Sequence, residues 1–132
     1  MSGPYSEEGY KLMGAAFEVY NEIGHGMAEE VYQECLEIEL QLRGIPFETK
    51  RHLSLRYKKQ QLDKTYIPDL FVFSVIVVEL KSVKELVSDH EAQVFNYMRI
   101  ARQSVGYLIN FGHEDTLEWK RYVLSDFHGG ND

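Results

Sequence analysis

Cysteine is nearly absent from this chain, since Cys35 is the only one among 132 residues. A single cysteine excludes a disulfide within the chain and a cysteine-rich zinc site. No apolar run is long enough to span a membrane. The first residues also lack a basic segment followed by an apolar one, so no signal peptide is visible. We therefore expect an intracellular, cytoplasmic protein.

Positive charge is also scarce, because 14 Lys and Arg face 21 Asp and Glu, for a net charge of -7. This balance argues against a protein that coats nucleic acids non-specifically, because phosphate binding depends on Lys and Arg. It does not exclude a metal-dependent nuclease, whose cations offset acidic ligands locally. The basic residues do form short clusters, which are either solvated surface or sites for an anionic partner. These clusters lie at residues 50–51, 56–59, 99–102 and 120–121.

Repeats, linkers and low-complexity segments are missing as well. A chain of this length suits one domain with a hydrophobic core. We predict a single domain over residues 1–132, with its core at about 9–124. Residues 125–132 contain a Gly-Gly pair and are expected to form a loose tail.

Apolar residues at helical spacing predict two amphipathic helices in the first third of the chain, over Glu7–Ile23 and about Met27–Arg43. Glycines after each, at Gly24 and Gly44, would end them. The segment that begins Ser88-Asp89-His90-Glu91 matches a capping box, in which Ser88 and Glu91 bond each other's amides. It predicts a third helix that runs to about Arg102.

The remaining chain is rich in β-branched and aromatic residues and predicts strands. One strand is expected over Ile45–Tyr57, a turn over 58–61, and a hairpin over Leu62–Val83, which together form an antiparallel meander. A strand over Val105–Phe111 follows the third helix and should therefore pair in parallel with the hairpin. Trp119–Leu124 is the last predicted strand. The fold class is mixed α/β: a mixed sheet of about five strands flanked by helices.

Three charged residues interrupt the apolar hairpin: Asp69, Glu79 and Lys81. Buried charges are costly unless they are paired or hold a metal. If the strands turn at Ser74, then Asp69 and Glu79 lie directly opposite each other, and Lys81 points to the same face. Two carboxylates and an amine suit a hard divalent cation and its water. The structural alternative is a buried ion pair of Lys81 with one carboxylate.

Two helices carry further candidates. Glu29 falls in the first turn of the second helix, where the helix dipole alone favours an acidic residue. Gln93 and Tyr97 lie four residues apart on the third helix and share a face, which is either part of a site or a half-buried polar edge. The five histidines are scattered without metal-ligand spacing, and His90 is more consistent with a helix start than with a ligand.

Taken together, these motifs resemble the GxxExxY family, a branch of the PD-(D/E)xK nuclease superfamily close to the RecB-like and lambda-type exonucleases. The naming motif corresponds to the segment Gly26–Tyr32, and the superfamily signature to Pro68-Asp69 and Glu79-Leu80-Lys81. The RecB-like Gln-x-x-x-Tyr element corresponds to Gln93–Tyr97, and Leu108–Gly112 is also similar to the family. The resemblance covers about residues 9–124.

The resemblance implies a restriction-endonuclease-like core with a Mg²⁺ or Mn²⁺ site. Asp69, Glu79 and the backbone carbonyl of Leu80 would be metal ligands, and Glu29 a further ligand, directly or through water. By the same motif match, the catalytic set adds three side chains. Lys81 would orient or activate the attacking water, while Gln93 and Tyr97 would position Lys81, the water or the scissile phosphate.

Our leading hypothesis is a divalent-metal-dependent nuclease that hydrolyses phosphodiester bonds of DNA or RNA. One alternative is a non-catalytic domain that keeps the fold and binds a protein or a nucleic acid, which the net acidity favours. Another is a metal-dependent phosphohydrolase acting on small substrates. The sequence does not decide between a monomer, a homo-oligomer and a complex with a protein partner.

Overall fold

The computed structural model describes residues 2–125. This part of the chain forms three α helices and seven β strands. In chain order they are α1 (Ser6–Ile23), α2 (Glu29–Leu42), β1 (Phe47–Thr49), β2 (Leu53–Tyr57), β3 (Gln60–Tyr66), β4 (Leu70–Val72), β5 (Ile76–Lys81), α3 (Ser88–Ala101), β6 (Val105–Asn110) and β7 (Glu118–Val123). The three predicted helices and the last two strands are confirmed within one or two residues.

Five strands form the central sheet, in the order β1-β4-β5-β6-β7. β5 and β6 pair in parallel, and the other neighbours are antiparallel. Residues of α1 and α2 pack with one face of the sheet, and residues of α3 pack with the other. The predicted class, a mixed α/β fold with a five-stranded mixed sheet between helices, is confirmed.

β5 is buried on both faces because it lies in the centre of this sheet. Val78 and Leu80 belong to the core under α1 and α2, whereas Val77 belongs to the core under α3. Each fully buried aliphatic side chain contributes about 1.5–3 kcal/mol, so a slip of one residue would be costly. Side chains alternate along a strand, so Glu79 and Lys81 project toward the α3 side with Val77.

The expected single strand over Ile45–Tyr57 is wrong, because the chain turns at Lys50, where φ is 52°. β1 pairs with β4 in the central sheet, and β2 pairs with β3 in a separate two-stranded sheet. The predicted three-stranded meander is therefore wrong as well. Residues 60–64 of β3 are all exposed, so this part of the strand has no buried face with which to join the layered core.

The predicted register between β4 and β5 is confirmed. Leu70 pairs with Val78 and Val72 with Ile76, which places Asp69 opposite Glu79, one pair beyond the ladder. The turn between them has positive φ at Phe73 (55°) and Ser74 (65°), although neither residue is Gly or Asn.

The capping box predicted from Ser88 to Glu91 is wrong. α3 begins at Ser88, so Val87 takes the N-cap position, and its amide donates to His90 Nδ1 at 3.0 Å. Glu91 points to β7 instead and accepts bonds from Lys120 Nζ at 2.8 Å and the Tyr122 hydroxyl at 2.6 Å. A cation and a phenol are stronger partners for a carboxylate than a backbone amide alone.

The predicted tail, 125–132, lies outside the described residues except for residue 125. Of the three helices in residues 2–125, none has the length and apolarity needed to cross a membrane.

Candidate active site

Asp69 and Glu79 form an interlocked pair at the point where β4 begins and β5 approaches its end. The backbone amide of Asp69 donates to Glu79 Oε1 at 2.8 Å, and the amide of Leu80 donates to Asp69 Oδ2 at 2.8 Å. Asp69 is 8% exposed and Glu79 4%. Each strand thus fixes the carboxylate of the other. The backbone carbonyl of Leu80 was predicted to be a metal ligand. The structure shows that the backbone amide of Leu80 is hydrogen-bonded to the pair.

The surroundings of Glu79 also change its ionisation. Burial and, next to it, the charge of Asp69 raise the pKa of Glu79 to about 8. The amide of Asp69 and the charge of Lys81 act in the opposite direction but are weaker. Such a carboxyl group binds a proton at neutral pH unless a cation joins the site.

The cation bonded to this pair is Lys50, and the predicted alternative of an ion pair with Lys81 does not occur. Lys50 Nζ lies 2.9 Å from Asp69 Oδ1, and the Lys50 amide donates to the Asp69 carbonyl at 3.3 Å. Lys81 is half-buried beside them. The sequence shows Lys50 only as part of a basic cluster, because the break between β1 and β2 that turns it toward Asp69 has no Gly or Pro signal.

Glu29 reaches the same region from the opposite helical layer. It is the first residue of α2 and lines a pocket of about 210 Å³ together with Lys50 and Asp69. Burial raises the pKa of Glu29, the charge of Lys81 lowers it, and the charge of Asp69 raises it. Lys81 and Asp69 therefore both lie within electrostatic reach of Glu29. Among residues 2–125, no three His, Cys, Asp or Glu side chains converge closely enough to hold a metal ion as they stand.

The loop before Glu29 is held in place by Tyr32. The Tyr32 hydroxyl donates to the Gly24 carbonyl at 2.6 Å and accepts from the Met27 amide at 3.1 Å, while its ring stacks on Phe111 with centroids 4.5 Å apart. Gly26 has φ 88°, a conformation that favours glycine. The glycine and tyrosine of the predicted Gly26–Tyr32 motif are thus structural, and they set where α2 begins and where Glu29 stands.

Gln93 and Tyr97 lie together on α3, and Gln93 Nε2 donates to the Tyr97 hydroxyl at 3.1 Å. Burial and the charge of Glu79 raise the pKa of Tyr97, which places the phenol near the carboxylate pair. Both residues line a groove of about 640 Å³ between β3 and α3. This groove is a different cavity from the one that Glu29 lines together with Asp69.

Asn110, which pairs with Lys81 across β5 and β6, fixes the loop that follows β5. Sequence reasoning missed this role. The Asn110 side chain is fully buried, accepts from the amides of Val83 and Gly112, and donates to the Val83 carbonyl and to Glu118. A Cβ on Gly112 would lie 2.3 Å from the Val83 nitrogen, so only glycine fits there. The only signal was an asparagine in an otherwise apolar strand.

This arrangement places acceptor oxygens, two lysines and a phenol on one side of the sheet. The carboxylates can hold a hard cation and the lysines can stabilise an anionic group such as a phosphate. No group of thiol or imidazole ligands converges here in the described part of the chain, so soft-metal chemistry has no support.

Comparison with known proteins agrees with this chemistry. The sequence model of the PD-(D/E)XK nuclease superfamily matches residues 6–122. A solved structure described as "Crystal structure of SSO0001" superposes with a TM-score of 0.59 at 16% identity, covering 90% of this chain and 59% of that one. At this identity the likeness concerns the fold, and the chain spans about three fifths of that protein. No curated protein matches the sequence. The chain belongs to the PD-(D/E)XK nuclease superfamily.

Proposed function

We propose that the protein is a nuclease that hydrolyses phosphodiester bonds of DNA or RNA with Mg²⁺ or Mn²⁺, and that it belongs to the GxxExxY, RecB-like group. The observation that carries the proposal is the interlocked pair of buried carboxylates, Asp69 and Glu79, with Lys81 on the same face. A purely structural core would be more stable with apolar residues at these positions.

The donor set fits a hard divalent cation. Members of the superfamily generally use divalent metals, and Mg²⁺ takes few carboxylates and keeps several waters. Burial and the charge of Asp69 raise the pKa of Glu79 to about 8, so the lysines nearby leave the charge of this pair only partly compensated. Asp69 and Glu79 would hold the ion, with the Leu80 carbonyl assisting and Glu29 joining directly or through water. When bound, the ion supplies Lewis acidity toward the phosphate and lowers the pKa of water.

The remaining residues act on the substrate. Lys81 lies next to the carboxylate pair and would orient the attacking water and stabilise charge that develops on the phosphate. Gln93 and Tyr97 would position the scissile phosphate or Lys81, since the phenol of Tyr97 lies on the side of the pair that opens to the groove. Glu29 lines the other cavity, together with Asp69 and further glutamates of α2.

A non-catalytic nucleic-acid-binding domain is the second candidate, and one observation favours it. Lys50 already forms an ion pair with Asp69, and no three acidic side chains among residues 2–125 lie close enough together to hold a metal ion. A fold that had lost catalysis could retain this pair as a closed ion pair. The two candidates differ in whether the protein takes up a metal and turns over substrate.

The test is titration of Mn²⁺ into the protein by calorimetry, followed by cleavage of labelled single- and double-stranded DNA and RNA. We expect one binding event and metal-dependent cleavage of at least one substrate. Asp69→Ala and Glu79→Ala should each weaken Mn²⁺ binding at least tenfold, because loss of a ligand exceeds the usual effect of an outer-shell change. Unchanged Mn²⁺ affinity in either variant would refute the site, and metal binding without any cleavage would favour the second candidate.

A further inference from the structure

The positive charge of this acidic protein is concentrated in one element. Residues 50–66, which contain β2 and β3, hold six of the 14 Lys and Arg but only one of the 21 Asp and Glu. The remainder of the chain is correspondingly more acidic than the net charge of -7 suggests. A basic element on an acidic protein directs an anionic partner to one place.

This basic element is a hairpin whose two ends are both attached to the site. β2 begins three residues after Lys50, and β3 ends three residues before Asp69. Leu53 and Tyr66 form the base of the hairpin, where they pair with each other and pack with the α3 core. At about 3.3 Å per residue, a five-residue strand places the tip roughly 17 Å from this base.

Beyond its base the hairpin is exposed, and its cations are not engaged by acidic side chains. Arg56, Lys58, Lys59 and Lys64 are all exposed. The ion pairs formed within the described residues involve other Lys and Arg side chains, namely Arg43, Lys50, Arg51 and Lys120. Lys58 and Lys64 lie 5.4 and 5.7 Å from the ring centroids of Tyr57 and Tyr66, and both lysines are exposed.

The two sides of the site differ in charge. On the α2 side, the pocket that contains Asp69 is lined by four glutamates, residues 29, 30, 34 and 37. On the hairpin side, the groove toward α3 is lined by Lys64 and Tyr66 from β3 and by Asp89, Gln93, Asn96 and Tyr97 from α3. Lys64 balances the charge of Asp89 in this groove, so a polyanion is repelled by the first side much more strongly than by the second. Amides and tyrosine rings also suit nucleotide bases, which stack on aromatic side chains.

We propose that the β2–β3 hairpin is the nucleic-acid-binding arm of this domain. Arg56, Lys58, Lys59 and Lys64 contact substrate phosphates, and the groove between β3 and α3 leads the strand to the Asp69–Glu79 pair. This inference rests on the proposed function, because it takes the substrate to be a nucleic acid. The contacts are to the backbone, so binding depends strongly on salt and little on sequence.

The hairpin turn allows charge to be removed without loss of the fold. Tyr57 pairs with Gln60, so Lys58 and Lys59 are the two turn residues, and their φ values are 48° and 67°. Asn-Gly is the preferred pair for such a turn. The variant Lys58→Asn with Lys59→Gly therefore removes two charges while the turn is retained or strengthened. A matched control is Lys11→Gln with Lys84→Gln, which removes the same charge from two exposed positions outside the hairpin.

The measurement is fluorescence anisotropy with labelled 20-nucleotide single-stranded DNA, the DNA duplex and single-stranded RNA, at 50–200 mM NaCl in EDTA. Each lost duplex phosphate contact should reduce the slope of log K against log salt by about 0.9. For the parent and the duplex, we expect a steep slope. For the hairpin variant we expect a slope lower by about 1.8 and, at 50 mM NaCl, affinity lower by about tenfold. The control variant should bind like the parent.

Equal binding by the hairpin and control variants would overturn the proposal, and so would a parent that binds none of the three probes. An acidic peptide, poly-glutamate, serves as a further probe, because binding as tight as that of the nucleic acids would mean a general anion surface and would also overturn it. EDTA separates this test from catalysis. Hairpin-dependent binding without cleavage in Mg²⁺ or Mn²⁺ refutes only the enzyme, whereas cleavage unaffected by the hairpin variant refutes only the arm.

Discussion

At the scale of single residues, the ion pair that was one alternative for Lys81 is formed by Lys50, and the catalytic role remains a proposal for Lys81. Lys50 supplies the ion pair to Asp69, and Lys81 remains half-buried next to Glu79. A structural lysine and a catalytic lysine respond differently to removal, because one stabilises the resting protein and the other stabilises the transition state. The two residues therefore give two separate predictions.

Lys81→Ala should lower turnover by about 10²–10³-fold, the usual effect of removing an electrostatic group from a transition state. Mn²⁺ affinity should stay within about threefold of the parent, because Lys81 is not proposed as a ligand. Initial cleavage rates and calorimetry on the same preparations measure both quantities. Lys84→Ala, three residues further on in an exposed position, is the control. A stability loss of about 3–5 kcal/mol would identify Lys81 instead as a buried structural partner.

Lys50→Ala should tighten Mn²⁺ binding by about three- to tenfold, because a positive charge that competes for Asp69 Oδ1 is gone. Without metal, the variant should lose no more than about 1 kcal/mol of stability, since the Lys50 side chain is 55% exposed. Calorimetry and urea unfolding give the two values, with Lys11→Ala as the control. Weaker metal binding would mean that Lys50 orients Asp69 for the ion and does not compete with the ion for Asp69.

At the scale of elements, the start of α2 depends on a buried tyrosine rather than on a capping side chain. Ala28 occupies the N-cap position and provides no side-chain bond. The loop is fixed instead by the Tyr32 hydroxyl and by Ser82 Oγ, which donates to the Met27 carbonyl at 2.5 Å. These bonds connect α2 to the strand that bears Glu79, so the position of Glu29 depends on both elements.

Tyr32→Phe should therefore reduce stability by about 1–3 kcal/mol, because the Gly24 carbonyl and the Met27 amide each lose a buried partner. Urea unfolding monitored by circular dichroism measures the change. Tyr10→Phe is the matched control, because Tyr10 is 73% exposed and should change stability by less than about 0.5 kcal/mol. If Tyr32→Phe is as stable as the parent, the loop is held by the stacking on Phe111 and not by the hydroxyl.

At the scale of the whole molecule, the ionisation of Glu79 opposes folding. Its folded pKa of about 8 lies above the usual value of 4.5, so the folded state binds a proton that the unfolded state has released between these two values. The stability contribution is fully present below about pH 4.5 and is lost as the pH rises through 8. The loss has a limiting slope of about 1.4 kcal/mol per pH unit.

We therefore expect the metal-free protein to be less stable at pH 8 than at pH 6, and Glu79→Gln to reduce this dependence. Mn²⁺ should raise the melting temperature of the parent more at pH 8 than at pH 6, because the ion replaces the proton. Thermal melts in EDTA and in Mn²⁺ at both values provide the comparison. A metal-free stability that is equal at both pH values in parent and variant would show that Glu79 titrates near its usual pKa.

Much of this molecule follows from local sequence patterns. The amphipathic periodicity of α1 and α2, the apolar runs of β5 and β6, and the strand–helix–strand order that requires parallel pairing are all local or nearly local properties. The turn at Ser74 fixes the register of β4 with β5, since alternation admits only one pairing that buries both strands. The opposition of Asp69 and Glu79 was therefore predictable from the sequence.

The tertiary structure alone decided the rest, because these features depend on contacts between residues far apart in the chain. The break at Lys50 separates β2 and β3 from the sheet and brings Lys50 to Asp69, 19 residues away. Glu91 accepts a hydrogen bond from Tyr122 of β7, 31 residues away, and does not cap the start of its own helix. The basic hairpin became visible as an element only when its exposure and its attachment to the site were known. Clusters of charged residues lack the periodic spacing that apolar residues show in helices and strands. Only the tertiary structure therefore shows which surface they occupy.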